Sequence, residues 1–161
     1  MLAALASLLL AAPAAADPLG ALLEQGGFES ARLGDPIESF AGFELLGSDR
    51  EAKTATYRRR ADELRIGGAV VDGITYSFYD GRLYFISVRM TGERNAEAVL
   101  RALEAAYGEG IATGSHPNEH IWPGGDVFVV YDLDAKSGRG MAAMTSSPIH
   151  ARMRLDRVAA D

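Results

Sequence analysis

The sequence predicts an α+β fold, in which an antiparallel sheet of several strands carries one main helix, at about residues 95–107, packed on one face. Three observations predict this fold. Residues 74–90 have the pattern of a β-hairpin, an amphipathic helix pattern follows, and short strand-like stretches bounded by turn residues lie on both sides of this unit. Strands joined by short turns pair antiparallel, and the helix must bury its apolar stripe against their sheet.

The hairpin is predicted from period-two alternation and from the turn signal Asp80-Gly81. A two-residue loop would pair Phe78 with Leu83. We prefer a three-residue loop with Gly81 in a bulge, because it keeps one face apolar and leaves Leu83 and Phe85 on the other, outer face. The residues that this register brings opposite each other are Ile74, Tyr76 and Phe78 on one strand and Tyr84, Ile86 and Val88 on its partner.

The helix is predicted to begin at Asn95, whose side chain can accept hydrogen bonds from the free N–H groups of the first turn. On its charged side Glu97 and Arg101 are spaced for an ion pair. Gly108 ends the helix, as a left-handed C-cap requires. The residues that share its apolar face are Ala96, Val99, Leu100, Leu103 and Tyr107.

The rest of the chain is predicted to add short strands, a loop and two terminal tails whose order the sequence leaves open. Asp35-Pro36 begins a turn with Asp35 as its N-cap. Arg58–Arg60 would end an edge strand and protect it from pairing with another chain, or would form a small anion-binding patch. The predicted loop is 108–126, the tails are 17–27 and 149–161, and the strands are at about 28–33, 43–46, 54–60, 63–66, 127–133 and 141–146.

Residues 1–16 have the composition of an export signal, since they are apolar, uncharged and end in three alanines before Asp17. The run lacks the basic residue usual at the start of a signal, and a short buried helix is the alternative. Cleavage after Ala16 predicts a periplasmic or secreted protein in which residues 17–161 form one domain. No later apolar run is long enough to cross a membrane.

Composition excludes several kinds of site. The chain has no cysteine, which excludes disulfides, thiol nucleophiles and cysteine-bound zinc. A net charge of −6 does not suit nucleic acid, which binds basic surfaces. No nucleophile-elbow motif occurs. The glycines of residues 108–114 follow a predicted helix, whereas the glycines of a phosphate-binding loop precede one. The sequence therefore predicts no catalytic residue and no cofactor.

His116-Pro117-Asn118-Glu119-His120 matches a zinc-peptidase pattern, but that chemistry needs both histidines on one helix face, and Pro117 opposes a helix. A looser metal site formed by His116, His120 and Asp126 remains as an alternative to a solvated loop.

Leu83, Phe85 and Trp122 are the candidate partner-binding residues. Apolar side chains on an exposed sheet face mark protein interaction surfaces. The alternative is that other parts of the chain cover this face of the sheet.

Three segments, Leu33–Phe40, Ile74–Tyr84 and Leu103–Gly108, carry turn glycines, core aromatic residues and a helix cap in an order that resembles small uncharacterised exported bacterial proteins of α+β type. The resemblance is spread over most of residues 28–131. It implies a location in the bacterial envelope and brings no catalytic residue with it.

These observations favour an exported, non-enzymatic domain that binds an envelope protein through a face of its sheet. The alternative is a small metal- or ligand-binding protein, with or without hydrolytic activity, that uses the loop from His116 to Asp126. No membrane span is expected once the signal is removed.

If residues 1–16 are an export signal, the protein recovered from its native envelope fraction begins at Asp17. N-terminal sequencing together with the intact mass of the purified protein measures this directly. A protein that retains residues 1–16 would contradict the predicted cleavage.

Overall fold

The structure, a computed structural model, describes residues 27–28, 31–60, 62–114 and 116–160. The predicted export signal lies outside the described residues. The helices are α1 at Glu93–Tyr107 and α2 at Ser147–Ala160, and a 3₁₀ turn occupies Ile37–Ser39. The strands are β1 Gly27–Phe28, β2 Ala31–Arg32, β3 Phe43–Asp49, β4 Thr54–Arg59, β5 Arg65–Ile66, β6 Ala69–Val70, β7 Gly73–Tyr79, β8 Arg82–Thr91, β9 Ile111–Ala112, β10 His120–Pro123, β11 Val127–Asp134 and β12 Arg139–Ser146.

Eight strands form one antiparallel sheet in the order β3-β4-β7-β8-β12-β11-β10-β9. The sheet consists of two four-stranded meanders, which meet where β8 pairs with β12. A helix follows each meander, α1 after β8 and α2 after β12. The predicted α+β class, with an antiparallel sheet and a helix packed on one face, is confirmed.

The β7–β8 hairpin turns on two residues, since Asp80 (φ 48°) and Gly81 (φ 74°) both adopt the left-handed backbone of a type I′ turn. The predicted three-residue loop is therefore wrong. The register shifts by one residue between Ser77 and Phe78 instead, which leaves Tyr84 as the extra residue of a bulge inside β8. Phe78 pairs with Leu83, whereas the predicted pairs Ile74–Val88 and Tyr76–Ile86 are confirmed.

Strand β8 has β7 on one side along its length, and the bulge lies where its neighbour on the other side changes from β12 to the segment 34–36. The last β12 residue paired with β8 is Thr145, opposite Phe85. Beyond it the segment 34–36 takes over, with Gly34 N donating to Leu83 O at 2.7 Å and Leu83 N donating to Asp35 O at 2.9 Å. The segment before β3 thus continues the sheet at this end.

Helix α1 begins two residues earlier than predicted, at Glu93, and Gly92 is its N-cap. Asn95 does not cap it, because its side chain accepts from Val70 N and donates to Thr91 O. Gly108 ends the helix as predicted, with its N–H bonded to Glu104 O. The fully buried apolar residues of α1 are Ala96, Val99, Ala102 and Leu103.

The β5–β6 hairpin lies against α1 and needs a glycine at its turn. Gly67 has φ +52°, and a Cβ there would lie 2.6 Å from the Cβ of Ala102. The hairpin and α1 together bury Ile66, Val99 and Leu103 on one face of the sheet. We call the opposite face the outer face.

A second part of the core lies beyond α1, between the segment before β3 and the strands β3, β4 and β7. Its ring centroids are 4.9 to 5.9 Å apart, within the range of stacked and edge-on aromatic pairs. The rings belong to Phe40, Phe43, Tyr57, Tyr76 and Phe78.

Several predicted boundaries are wrong. The predicted loop 108–126 contains β9 and β10. The C-terminal tail 149–161, whose order the sequence left open, contains most of α2. Arg58 does not lie on an edge strand, because β3 covers β4. Asp35 does not cap the 3₁₀ turn, whose N-cap is Pro36; its side chain accepts from Arg32 N.

Replacing Leu103 by alanine should lower the free energy of unfolding by about 2–5 kcal/mol, because it leaves a cavity between α1 and the sheet. Chemical denaturation measures this loss. The matched control is Leu45→Ala, since Leu45 is 53% exposed, and it should cost less than about 1 kcal/mol. An equally small loss for Leu103→Ala would contradict the described packing.

Candidate functional site

The outer face has an apolar half and a half that carries hydroxyl groups. The strand register shows which side chains belong to each half. Residues of successive strands lie side by side in rows that cross the sheet. One row is Ile111, Ile121, Val130, Ala143, Ser87 and Thr75. The next row is Pro123, Phe128, Thr145, Phe85, Ser77 and Thr56.

We call the apolar half of these rows, together with Met141 beside them, the apolar patch. Ile111 is 56% exposed and Met141 38%, and the larger rings and branched side chains between them are half-buried. Neighbouring apolar residues that stay accessible on one side of a sheet are typical of a binding surface. The members of the patch are Phe85, Ile111, Ile121, Pro123, Phe128, Val130 and Met141.

The hydroxyl half is closed by its own hydrogen bonds. Thr75 and Ser87 hydroxyls lie 2.8 Å apart, and Thr56 and Ser77 hydroxyls 3.0 Å apart. Ser77 and Ser87 are also nearly inaccessible. These groups satisfy one another and offer little to a ligand.

Two arginines lie at the end of the apolar patch nearest to α1's first residue. Arg89 pairs with Met141 across β8 and β12, and Arg139 pairs with Thr91. Both arginines are exposed, and within the described residues neither forms a salt bridge. They line a cleft of about 420 Å³ together with Asp72, Asp132 and Met141.

The structure separates the three predicted partner-binding residues. Phe85 lies half-buried on the outer face, as predicted. Leu83 does not, because the two-residue turn pairs it with core-facing Phe78, and it is fully buried. Trp122 is also buried: it points to the α1 side of β10, and its Nε1 donates to Gly108 O at 2.8 Å.

The predicted metal ligands are not brought together. His120 pairs with Tyr131, and Asp126 precedes Val127 at the other end of the β10–β11 hairpin. The rise of a strand puts roughly 14 Å between residues 127 and 131. His116 is exposed, and its Nδ1 lies 4.0 Å from Glu119. Within the described residues, no group of three metal-ligating side chains is close enough to hold an ion.

His120 belongs to an aromatic cluster on the α1 side of the sheet. Its ring centroid lies 6.4 Å from that of Trp122 and 6.1 Å from that of Tyr131. Burial raises the pKa of Tyr107 to about 12. The pKa of Tyr131 is also raised to about 12, mainly by burial and to a smaller extent by the negative charges of Asp132 and Glu97. Tyr107 Oη and His120 Nδ1 are buried without a hydrogen-bond partner among the described residues.

The three arginines of the triplet share two carboxylates in one ion network. Arg58 and Arg60 both donate to Glu44, at 3.0 and 3.2 Å, and these hydrogen bonds hold the pKa of Glu44 below its ordinary value. Arg59 pairs at 2.5 Å with the nearly inaccessible Asp62, which also accepts from Tyr76 Oη. The triplet therefore fastens the chain after β4 to the sheet, and the carboxylates occupy the places that an anion would take.

Sequence reasoning missed most of the apolar patch. One signal was present: in β11, Phe128 and Val130 alternate with Val127, Val129 and Tyr131, so both faces of the strand are apolar. Such a strand is expected to be covered on both faces. The pattern alone does not say that α1 covers only one of them.

No protein-family model, curated protein or solved structure matches this chain. The comparisons therefore lend no support to the resemblance to small exported bacterial proteins. Among the residues that the structure describes, no helix is both long and apolar enough to cross a membrane.

Zinc, nickel or copper should leave the melting temperature unchanged, because His116, His120 and Asp126 do not converge. Thermal unfolding with each metal and with a chelator measures this. A metal at a hundred times its dissociation constant would add about 2.7 kcal/mol to the stability. A rise in melting temperature that His120→Ala abolishes would contradict the expectation.

Proposed function

We propose that this protein is an exported, non-enzymatic domain that binds a protein partner through the apolar patch. The observation that carries the proposal is the set of accessible apolar side chains on the outer face of β8, β9, β10, β11 and β12, where α1 does not lie and beside the part of that face where α2 contacts Tyr79. Interface centres are rich in aromatic residues and methionine and poor in charge, and Phe85, Phe128 and Met141 fit that composition.

The charges at the edge of the patch indicate the chemistry of the partner. Arg89 and Arg139 lie beside Met141 without a salt bridge of their own within the described residues. Arginine binds carboxylates through paired N–H donors and is common at the centres of interfaces. The partner surface is therefore apolar and carries a carboxylate positioned for these arginines.

Export rests on the sequence of residues 1–16, and the absence of an enzymatic role rests on the arrangement of the polar side chains. The hydroxyls of Thr56 and Ser77, and those of Thr75 and Ser87, are bonded to each other. His116 lies 4.0 Å from Glu119, but within the described residues neither belongs to a group of three metal-ligating side chains. These features favour the binding domain over the metal-dependent alternative.

Site-specific photo-crosslinking in the native cells tests the proposal. A crosslinking residue at position 141, on the apolar patch, should give one adduct with another protein. The same residue at position 101, on the exposed side of α1, should give none. Equal adducts from both positions, or an adduct with a second copy of the chain, would refute the proposal.

Charge reversal at the patch should weaken the complex. Arg89→Glu should lower the yield of the position-141 adduct about fivefold or more, the factor that a loss of about 1 kcal/mol gives. Arg94→Glu, a matched reversal on exposed α1, should not change it. Phe85→Asp should abolish the adduct without lowering the melting temperature; a large loss of melting temperature would place Phe85 in the core.

A further inference from the structure

Helix α2 presents an apolar surface that is separate from the apolar patch. At 100° per residue, five of its apolar residues fall on one arc of the helix. Leu155 is 70% exposed and Val158 75%, the highest values among the large apolar residues of the described chain. The arc contains Pro148, Ala151, Leu155, Val158 and Ala159.

The opposite side of α2 is fixed to the domain. Its half-buried residues are Ile149, Met153 and Asp156, three and four residues apart. Tyr79 Oη donates to Asp156 Oδ2 at 2.5 Å, and this hydrogen bond raises the pKa of Tyr79. Arg152 adds a contact with Asp80 at 3.4 Å. Because these contacts set the rotation of the helix, the apolar arc points away from the sheet.

Cations border the arc on both sides. Arg152 lies on one border and Arg154 on the other, whereas Arg157 lies nearer the docked side and lines a cavity with Asp49 and Glu51. Arg152 contacts Asp80 and Asp156, and Arg154 forms no salt bridge within the described residues. The acidic residue of the described helix, Asp156, is on the docked side. The exposed half of α2 is thus apolar in the middle and positive at its edges.

We propose that α2 binds the anionic headgroups of a phospholipid surface, with Leu155 and Val158 at the boundary of the acyl chains. Helices that lie on membranes combine an apolar stripe with basic residues beside it, and the basic residues are attracted to anionic headgroups. Because charges farther away than about 8 Å are screened at physiological salt, the net charge of −6 opposes this contact only through the carboxylates near α2, such as Asp80 and Asp156, which already contact Arg152.

Co-sedimentation of the full chain with vesicles tests this proposal. The vesicles are phosphatidylglycerol with phosphatidylethanolamine, and phosphatidylcholine as the uncharged comparison. Binding should occur with the anionic vesicles and fall with added salt. The double change Leu155→Ser and Val158→Ser should weaken it about tenfold, since two apolar side chains are lost from the contact.

The matched control is the double change Leu45→Ser and Val70→Ser, at positions that are 53% and 51% exposed elsewhere on the domain. Residues 1–16 are common to all variants, so a difference between the two doubles isolates α2. Equal melting temperatures show that each variant folds. Equal binding by both doubles, equal binding to both kinds of vesicle, or no binding would overturn the proposal; no binding together with a position-155 photo-crosslink to an acidic protein would identify a protein partner instead.

Discussion

The pairing of β8 with β12 is the interaction on which the rest of the structure depends. It joins two four-stranded meanders into one sheet and runs over seven residue pairs, from Arg139–Thr91 to Thr145–Phe85. Helix α1 begins just after β8 and packs across this pairing, where Val99 and Leu103 meet residues of both strands. A slip of one residue would turn the apolar residues of one strand to the outer face.

The bulge at Tyr84 allows β8 to pair with β12 in this register although the β7–β8 turn has only two residues. Asp80-Gly81 imposes a two-residue turn, which by itself would bring Phe85 to the core side. The extra residue in β8 restores the alternation, so that Leu83 and Ile86 both reach the core while Phe85 stays outside. The same bulge lies where segment 34–36 replaces β12 beside β8. One irregularity therefore keeps Ile86 in the core and Phe85 on the outer face, and it lies where the N-terminal segment bonds to the sheet.

Two of the accessible surfaces carry the proposals. The apolar patch ends at Arg89 and Arg139, which line a cleft with Asp72 and Asp132, and it is the surface proposed for a protein partner. The exposed arc of α2 is narrow and convex with cations on both borders, which suits the anionic surface of a membrane. A domain with both would hold its partner close to a lipid surface, and the two proposals are independent because the residues that carry them do not overlap.

The sequence by itself determined the hairpin, the position and apolar face of α1 and the α+β class, because period-two and period-3.6 patterns with strong turn and cap residues are local properties. The alternation of apolar residues also predicted the cross-strand pairs Ile74–Val88 and Tyr76–Ile86. The sequence did not determine where the extra residue of the hairpin would go, since a bulge at Gly81 and one at Tyr84 are both consistent with the local pattern.

Only the tertiary structure decided which apolar residues are covered. Leu83, Trp122 and Phe85 look alike in sequence. The two-residue turn directs Leu83 into the core, the C-terminal end of α1 covers Trp122, and the bulge at Tyr84 keeps Phe85 on the outer face, where it is half-buried. In the same way, Asp126 and His120 stay apart, because Asp126 precedes Val127 while His120 pairs with Tyr131, four residues farther along β11. Burial and convergence of side chains depend on long-range strand pairing, and the spacing of residues along the chain does not contain that information.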